Sequence, residues 1–225
     1  MIIVTGASRG LGRLICQRLS DKGFEVLGLA RSIEDLPFPA MHCDVSSYES
    51  VRTVSRALKN DGQKVTGLVN AAGIASMNLA LTTPPEVTQA LLNTNLAGTI
   101  YSCQLFGALM LRSGKGTIVN FSTIAVSLGL KGESVYAASK AGVEAFTRSF
   151  AREMADFNIT VNCIAPGPIQ TDLLNGVTEE QIDRIVAQQV IPKRFTPASV
   201  ADVTEILFDD RSSSISGQVL HIGGV

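Results

Sequence analysis

Tyr136 and Lys140 stand four residues apart in a stretch of helical period, so they share a helix face and can bring an ammonium beside a phenol. A phenol of pKa about 10 is a poor proton donor or acceptor near neutrality, and a neighbouring positive charge lowers that value by favouring phenolate. The pair is therefore a candidate general acid for reducing a carbonyl, and a general base for the reverse. Standing alone it would be an exposed Lys and a Tyr at the edge of the core. A second signal changes its weight. Thr5-Gly6-Ala7-Ser8-Arg9-Gly10-Leu11-Gly12 lies between the first apolar run and the first helical segment. Glycines there let the backbone turn sharply and approach a ligand, and the free N–H groups of a helix N-terminus favour a pyrophosphate. Taken by itself, a glycine-rich turn without a ligand is the plainer alternative.

The elements that must position these groups alternate along the chain. Seven short runs near 1–5, 25–30, 40–43, 65–70, 116–122, 159–164 and 218–222 are predicted strands. Most are apolar almost throughout, as strands covered on both faces are. Helical segments near 10–22, 47–60, 86–112, 135–157 and 199–208 separate them. The stretch 31–40, broken by Pro37 and Pro39, is too short for a helix. This rhythm predicts an α/β fold: a single Rossmann-type, doubly wound domain over 1–225, its seven-stranded parallel sheet carrying helices on both faces.

With its T-G-x-x-x-G-x-G spacing, the opening turn resembles that of the short-chain dehydrogenase/reductase family in its compact form. Further landmarks of that family follow in order: Asp44-Val45, Asn70-Ala71-Ala72-Gly73, Asn95, Tyr136-Ala137-Ala138-Ser139-Lys140, Pro166-Gly167-Pro168-Ile169-Gln170-Thr171, and the closing Gly217-Gln218 and Gly223-Gly224. The resemblance implies a catalytic set of Asn95, Thr123, Tyr136 and Lys140, with Asn95 supporting a water in the proton relay and Lys140 also binding the nicotinamide ribose. It implies a cofactor site of Gly6, Ser8, Arg9, Gly10, Leu11, Gly12, Arg31, Asp44, Val45, Asn70, Ala71, Gly73, Tyr136, Lys140, Pro166, Gly167, Ile169 and Thr171. Asp44 should hold the adenine amino group, Asn70 and Gly73 should line the adenosine side, and Ile169 and Thr171 should contact the carboxamide.

In relatives that carry Ser-Ser after the fifth strand, the hydroxyl holding the substrate carbonyl lies thirteen residues before the tyrosine, which here is Thr123. Its neighbour Ser122 should point to the opposite face, because adjacent strand residues do. A bulge that presents Ser122 instead is the alternative. Relatives that prefer NAD end the second strand with an acid; here Ala30 and then Arg31 stand there, with Arg9 in the glycine turn. Two guanidiniums could converge on a 2′-phosphate, so NADPH is the expected cofactor.

Overall the chain is most similar to 3-oxoacyl-(acyl carrier protein) reductases, which implies reduction of a 3-oxoacyl thioester or another β-keto compound. Those enzymes dock an acidic carrier through basic residues at two places where this chain has Gly114-Lys115 and Asp156-Phe157-Asn158. Residues 172–191 should form a lid whose Leu173, Leu174, Val177, Ile182 and Ile185 either wall the substrate site or pack the lid onto the body. A non-catalytic NADP sensor on the same fold would be expected to lose Tyr136 or Lys140.

Composition narrows the partners. At 45% hydrophobic and 17% charged residues, the 225-residue chain has none of the character of a disordered one. Lys plus Arg number 19 against 20 Asp plus Glu, without a dense basic run, so nucleic acid and anionic membrane are not expected partners. Four scattered cysteines and two histidines lack metal-ligand spacing, and Met1 leads directly into Ile2-Ile3-Val4 without room for a secretory leader, so a reduced, cytoplasmic protein without a metal is expected. The segment 87–110 is apolar around much of its circumference, which predicts burial against a second copy in a homo-oligomer, by resemblance a tetramer.

Overall fold

The computed structural model describes residues 1–171 and 177–225. Strands β1 (Ile2–Thr5), β2 (Val26–Ala30), β3 (Ala40–His42), β4 (Gly67–Asn70), β5 (Gly116–Phe121), β6 (Ile159–Pro166) and β7 (Val219–Ile222) form one sheet in the order β3-β2-β1-β4-β5-β6-β7. Every neighbouring pair is parallel. The interior strands β1, β2 and β4 are buried at every residue, whereas β3 at one edge and most of β7 at the other are only partly covered.

Helices α1 (Gly10–Asp21) and α8 (Pro197–Leu207) cover one face through Ile15, Cys16, Leu19, Val200, Ala201 and Leu207. The other face is covered by α2 (Tyr48–Asn60), α4 (Gly98–Met110) and α6 (Ser134–Ala155), with Val51, Val54, Leu58, Phe106, Met110 and Phe150 in the core. All four cysteines are buried thiols, and burial pushes Cys16, Cys103 and Cys163 up to about 12, so they pack rather than react. No helix among the described residues is long and apolar enough to cross a membrane.

The seven predicted strands all form, with β6 running two residues further, to Pro166. The single helix predicted over 86–112 is instead α3 (Pro85–Leu91), one π-helical stretch (Leu92–Ala97) and α4. Such π-turns recur at functional sites because they rotate the residues after them. Two short helices were not predicted: α5 (Ala125–Leu128) and α7 (Glu179–Val186). The start of α7 carries a legible capping box, in which Thr178 and Gln181 bond each other's backbone. Within the expected lid, Ile182 and Val186 are buried against the body while Val177 and Ile185 face the cleft; Leu173 and Leu174 lie outside the described residues.

Candidate active site

Chain order runs outward from the middle of the sheet, β1 to β3 one way and β4 to β7 the other. At such a reversal the loops leaving the carboxyl ends of the strands part and open a crevice. Here that crevice is a cleft of about 820 Å³, within the size range of small-molecule sites.

One end is built by the glycine turn. Gly6 has φ +71, and a Cβ on it would lie 2.8 Å from Ala72 Cα; a Cβ on Gly12 would lie 2.3 Å from Gly6 O. The turn can therefore press against the 71–73 loop and α1 only without side chains there. Thr5 Oγ1 accepts from Ala72 N at 3.1 Å, tying the loop to β1. The first turn of α1 carries neither a side-chain cap nor an acidic residue, which leaves its N–H groups available to an anion. Arg9 and Arg31, both exposed, lie on the same wall, next to the buried Ala30. Asp44 follows β3 at the rim; its carboxylate accepts from Ser46 N at 3.0 Å and Ser46 Oγ at 2.7 Å. This cradle of bare backbone, helix terminus and paired cations fits a dinucleotide.

The other end is made by β5 and α6. Thr123 lies beside Tyr136, near enough for its hydroxyl to lower the phenol pKa, and Thr123 Oγ1 accepts from Ala125 N at 3.2 Å. Ser122 donates to Glu144 Oε1 at 2.6 Å, in a buried contact. Both residues follow β5 and line the cleft, but the Ser122 hydroxyl is committed to Glu144. Burial and, next, the Glu133 carboxylate raise the Tyr136 phenol above its ordinary value, against the smaller lowering effect of the Thr123 hydroxyl.

Lys140 lines the same cleft as Tyr136. Its Nζ donates to Phe121 O at 2.9 Å, and burial lowers its own pKa to about 8. Its ammonium is desolvated and committed to the end of β5.

Of the residues expected at the site, all but two line this cleft: Gly6, Ser8, Arg9, Gly10, Leu11, Gly12, Arg31, Asp44, Val45, Ala71, Gly73, Thr123, Tyr136, Lys140, Pro166, Gly167, Ile169 and Thr171. The first exception, Asn70, is a correction. It ends β4 with its side chain turned into the core, where Nδ2 donates to Asn120 Oδ1 at 2.8 Å. Asn95 is the second. It is wholly buried, accepts from Ile74 N at 2.9 Å, and donates to Ile74 O at 2.9 Å and Ser139 Oγ at 3.1 Å. With its carboxamide so engaged, Asn95 braces the 71–77 loop against α6. Among the cleft residues that sequence reasoning did not single out are Thr94 in the π-turn and Glu133 one turn before Tyr136.

A family profile described as Enoyl-(Acyl carrier protein) reductase matches residues 6–224. The chain belongs to the short-chain dehydrogenase/reductase family and is, with it, an oxidoreductase that uses a nicotinamide cofactor. It is 33% identical over 231 residues to the 3-oxoacyl-(acyl-carrier-protein) reductase FabG of Vibrio cholerae, covering 99% of this chain and 95% of that one. It is 38% identical over 236 residues to carbonyl reductase family member 4 of Danio rerio, covering 100% and 96%. Among solved structures, ligand-free aldohexose dehydrogenase of Thermoplasma acidophilum superposes with a TM-score of 0.89 at 28% identity, covering 99% of this chain and 92% of that one.

Proposed function

We propose that this protein reduces a ketone to a secondary alcohol with NADPH, and that its substrate is a 3-oxoacyl thioester or another β-keto compound. The observation that carries the reading is the gathering of Thr123, Tyr136 and Lys140 in one cleft with Arg9, Arg31 and the glycine turn. When bound, the cofactor supplies the hydride. Thr123 donates to the carbonyl oxygen, and Tyr136 gives that oxygen its phenolic proton as negative charge develops there. A raised phenol pKa makes the proton harder to give up, so Tyr136 passes it only as the carbonyl oxygen gains hydride electrons and becomes the stronger base. Lys140, held by Phe121 O, offers the cofactor ribose a nearby positive group. The similarity to a 3-oxoacyl reductase and to a carbonyl reductase supports ketone reduction.

NADPH preference rests on Ala30, Arg31 and Arg9. A hydrogen bond to a charged partner contributes about 1.5–3 kcal/mol, so Arg31→Ala is expected to weaken NADPH roughly tenfold to a hundredfold and to leave NADH nearly unchanged. Titration of both cofactors against both proteins measures this; equal binding by the unmutated protein would contradict it.

The substrate is tested by following NADPH consumption with acetoacetyl thioesters, β-keto esters, simple ketones and quinones. An acidic carrier protein would be drawn by positive charge, and its advantage would fall as salt screens over about 8–10 Å. Gly114 and Asp156-Phe157 stand where that charge is expected, leaving Lys115, Arg112 and Arg148 as a displaced patch. The acetoacetyl group on coenzyme A is therefore expected to be reduced nearly as well as on the carrier protein. A carrier advantage above about a hundredfold, removed by salt or by Lys115→Glu, would show that the displaced patch docks the carrier.

Two broader readings accompany this one. Four unpaired thiols suit a reducing compartment, which supports the cytoplasm. Half-buried Ile100, Tyr101 and Leu105 on α4 support a symmetric homo-oligomer, most simply a tetramer, which sedimentation at micromolar concentration would reveal.

A further inference from the structure

Glu133 opens α6 and lines the substrate end of the cleft, with Leu130 before it and Tyr136 one turn after it. Its carbonyl accepts from Ala137 N at 2.6 Å, which fixes its backbone as the first turn of the helix. Its carboxylate does not cap that helix and, among the described residues, makes no hydrogen bond or ion pair. The other carboxylates that lie away from open solvent are engaged. Glu144 holds Ser122 and Arg148, Glu205 holds Arg18 and Lys22, and Asp44 holds Ser46. Apolar Leu130, Val177 and Ile185 share the wall with Glu133, and burial raises its pKa.

A half-buried carboxylate with neither water's full solvation nor a protein donor is a costly group to keep in a binding cleft. A ligand that brings a donor relieves that cost, while one that brings a second carboxylate adds like-charge repulsion in a setting of low dielectric. We propose that Glu133 is a substrate-recognition subsite that selects ketones bearing an ammonium or hydroxyl group close to the carbonyl and rejects ketones bearing a carboxylate there. The proposal rests on the ketone-reductase reading. It places the selected group beyond the carbonyl oxygen on the α6 side, since Thr123 and Tyr136 occupy the oxygen.

The test uses the full chain with NADPH and a matched set of methyl ketones that differ only in one terminal group two carbons from the carbonyl: methyl, hydroxyl, ammonium or carboxylate. At neutral pH the unmutated protein is expected to favour the ammonium or hydroxyl ketone over the carboxylate in kcat/KM by about a hundredfold. Glu133→Gln should shrink that ratio at least about tenfold, and Glu133→Lys should invert it, a gain that a misfolded variant cannot produce. An unchanged ratio in Glu133→Gln, or a preference for the carboxylate ketone in the unmutated protein, overturns the subsite while ketone reduction stands. Failure to reduce any of the four while an acetoacetyl thioester is reduced overturns the subsite alone, and failure with the thioester as well overturns both.

Discussion

Replacing Tyr136 by Phe is expected to lower kcat by about 10²–10⁴-fold, the range that a positioned general acid supplies, with NADPH still bound. The substitution removes one oxygen and keeps the ring, so the packing between α6 and the cleft is preserved. Lys140→Ala should behave differently. Its Nζ reaches Phe121 O at the end of β5, so its loss should impair cofactor binding as well as turnover. Cofactor fluorescence titration beside steady-state rates separates the two variants. Full activity in Tyr136→Phe would remove the phenol from the chemistry.

Thr123→Val should cost about 10²–10³ in kcat, as loss of an oxyanion-type donor does, while Thr123→Ser should stay active. Valine keeps the branched shape and the stiff χ1 of threonine, so a loss reports on the hydroxyl itself. Ser122→Ala should cost far less in turnover, because the Ser122 hydroxyl is spent on Glu144 at 2.6 Å. Rates of the three variants with one ketone decide between the neighbours. A silent Thr123→Val together with an inactive Ser122→Ala would transfer the role to Ser122.

The sheet was legible because its strands are continuous apolar runs bounded by glycine, proline and polar clusters, and covered strands need no alternation. The glycine turn was legible for a related reason. Its spacing and its place between a strand and a helix both matter, and Gly6 and Gly12 do meet neighbouring backbone where any Cβ would collide. The π-turn at Leu92–Ala97 was hidden because apolar spacing at three and four residues reads the same through one added backbone position.

Asn70 and Asn95 show a second limit. A motif tells which residue follows a strand, but only pairing tells which way it faces. Asn70 lies beside Asn120 in the register of β4 and β5, and Asn120 Nδ2 donates onward to Thr147 Oγ1 at 2.9 Å, so both amides belong to a polar network in the core. Lys140 shows what helical spacing leaves open. Helical spacing shows that a lysine and a tyrosine share a face, yet burial and the carbonyl of Phe121 decide where the ammonium rests. Glu133 was visible three residues before Tyr136, but its burial without a partner emerges only once the cleft is assembled.

The most direct test of the account follows deuterium from NADPH labelled at both C4 positions during reduction of an acetoacetyl thioester. Hydride transfer to the ketone predicts one deuterium on the new carbinol carbon for each NADPH oxidised, with the hydroxyl proton drawn from solvent. NADPH that binds in the cleft but is not oxidised with any ketone, or a product without the label at that carbon, would contradict it.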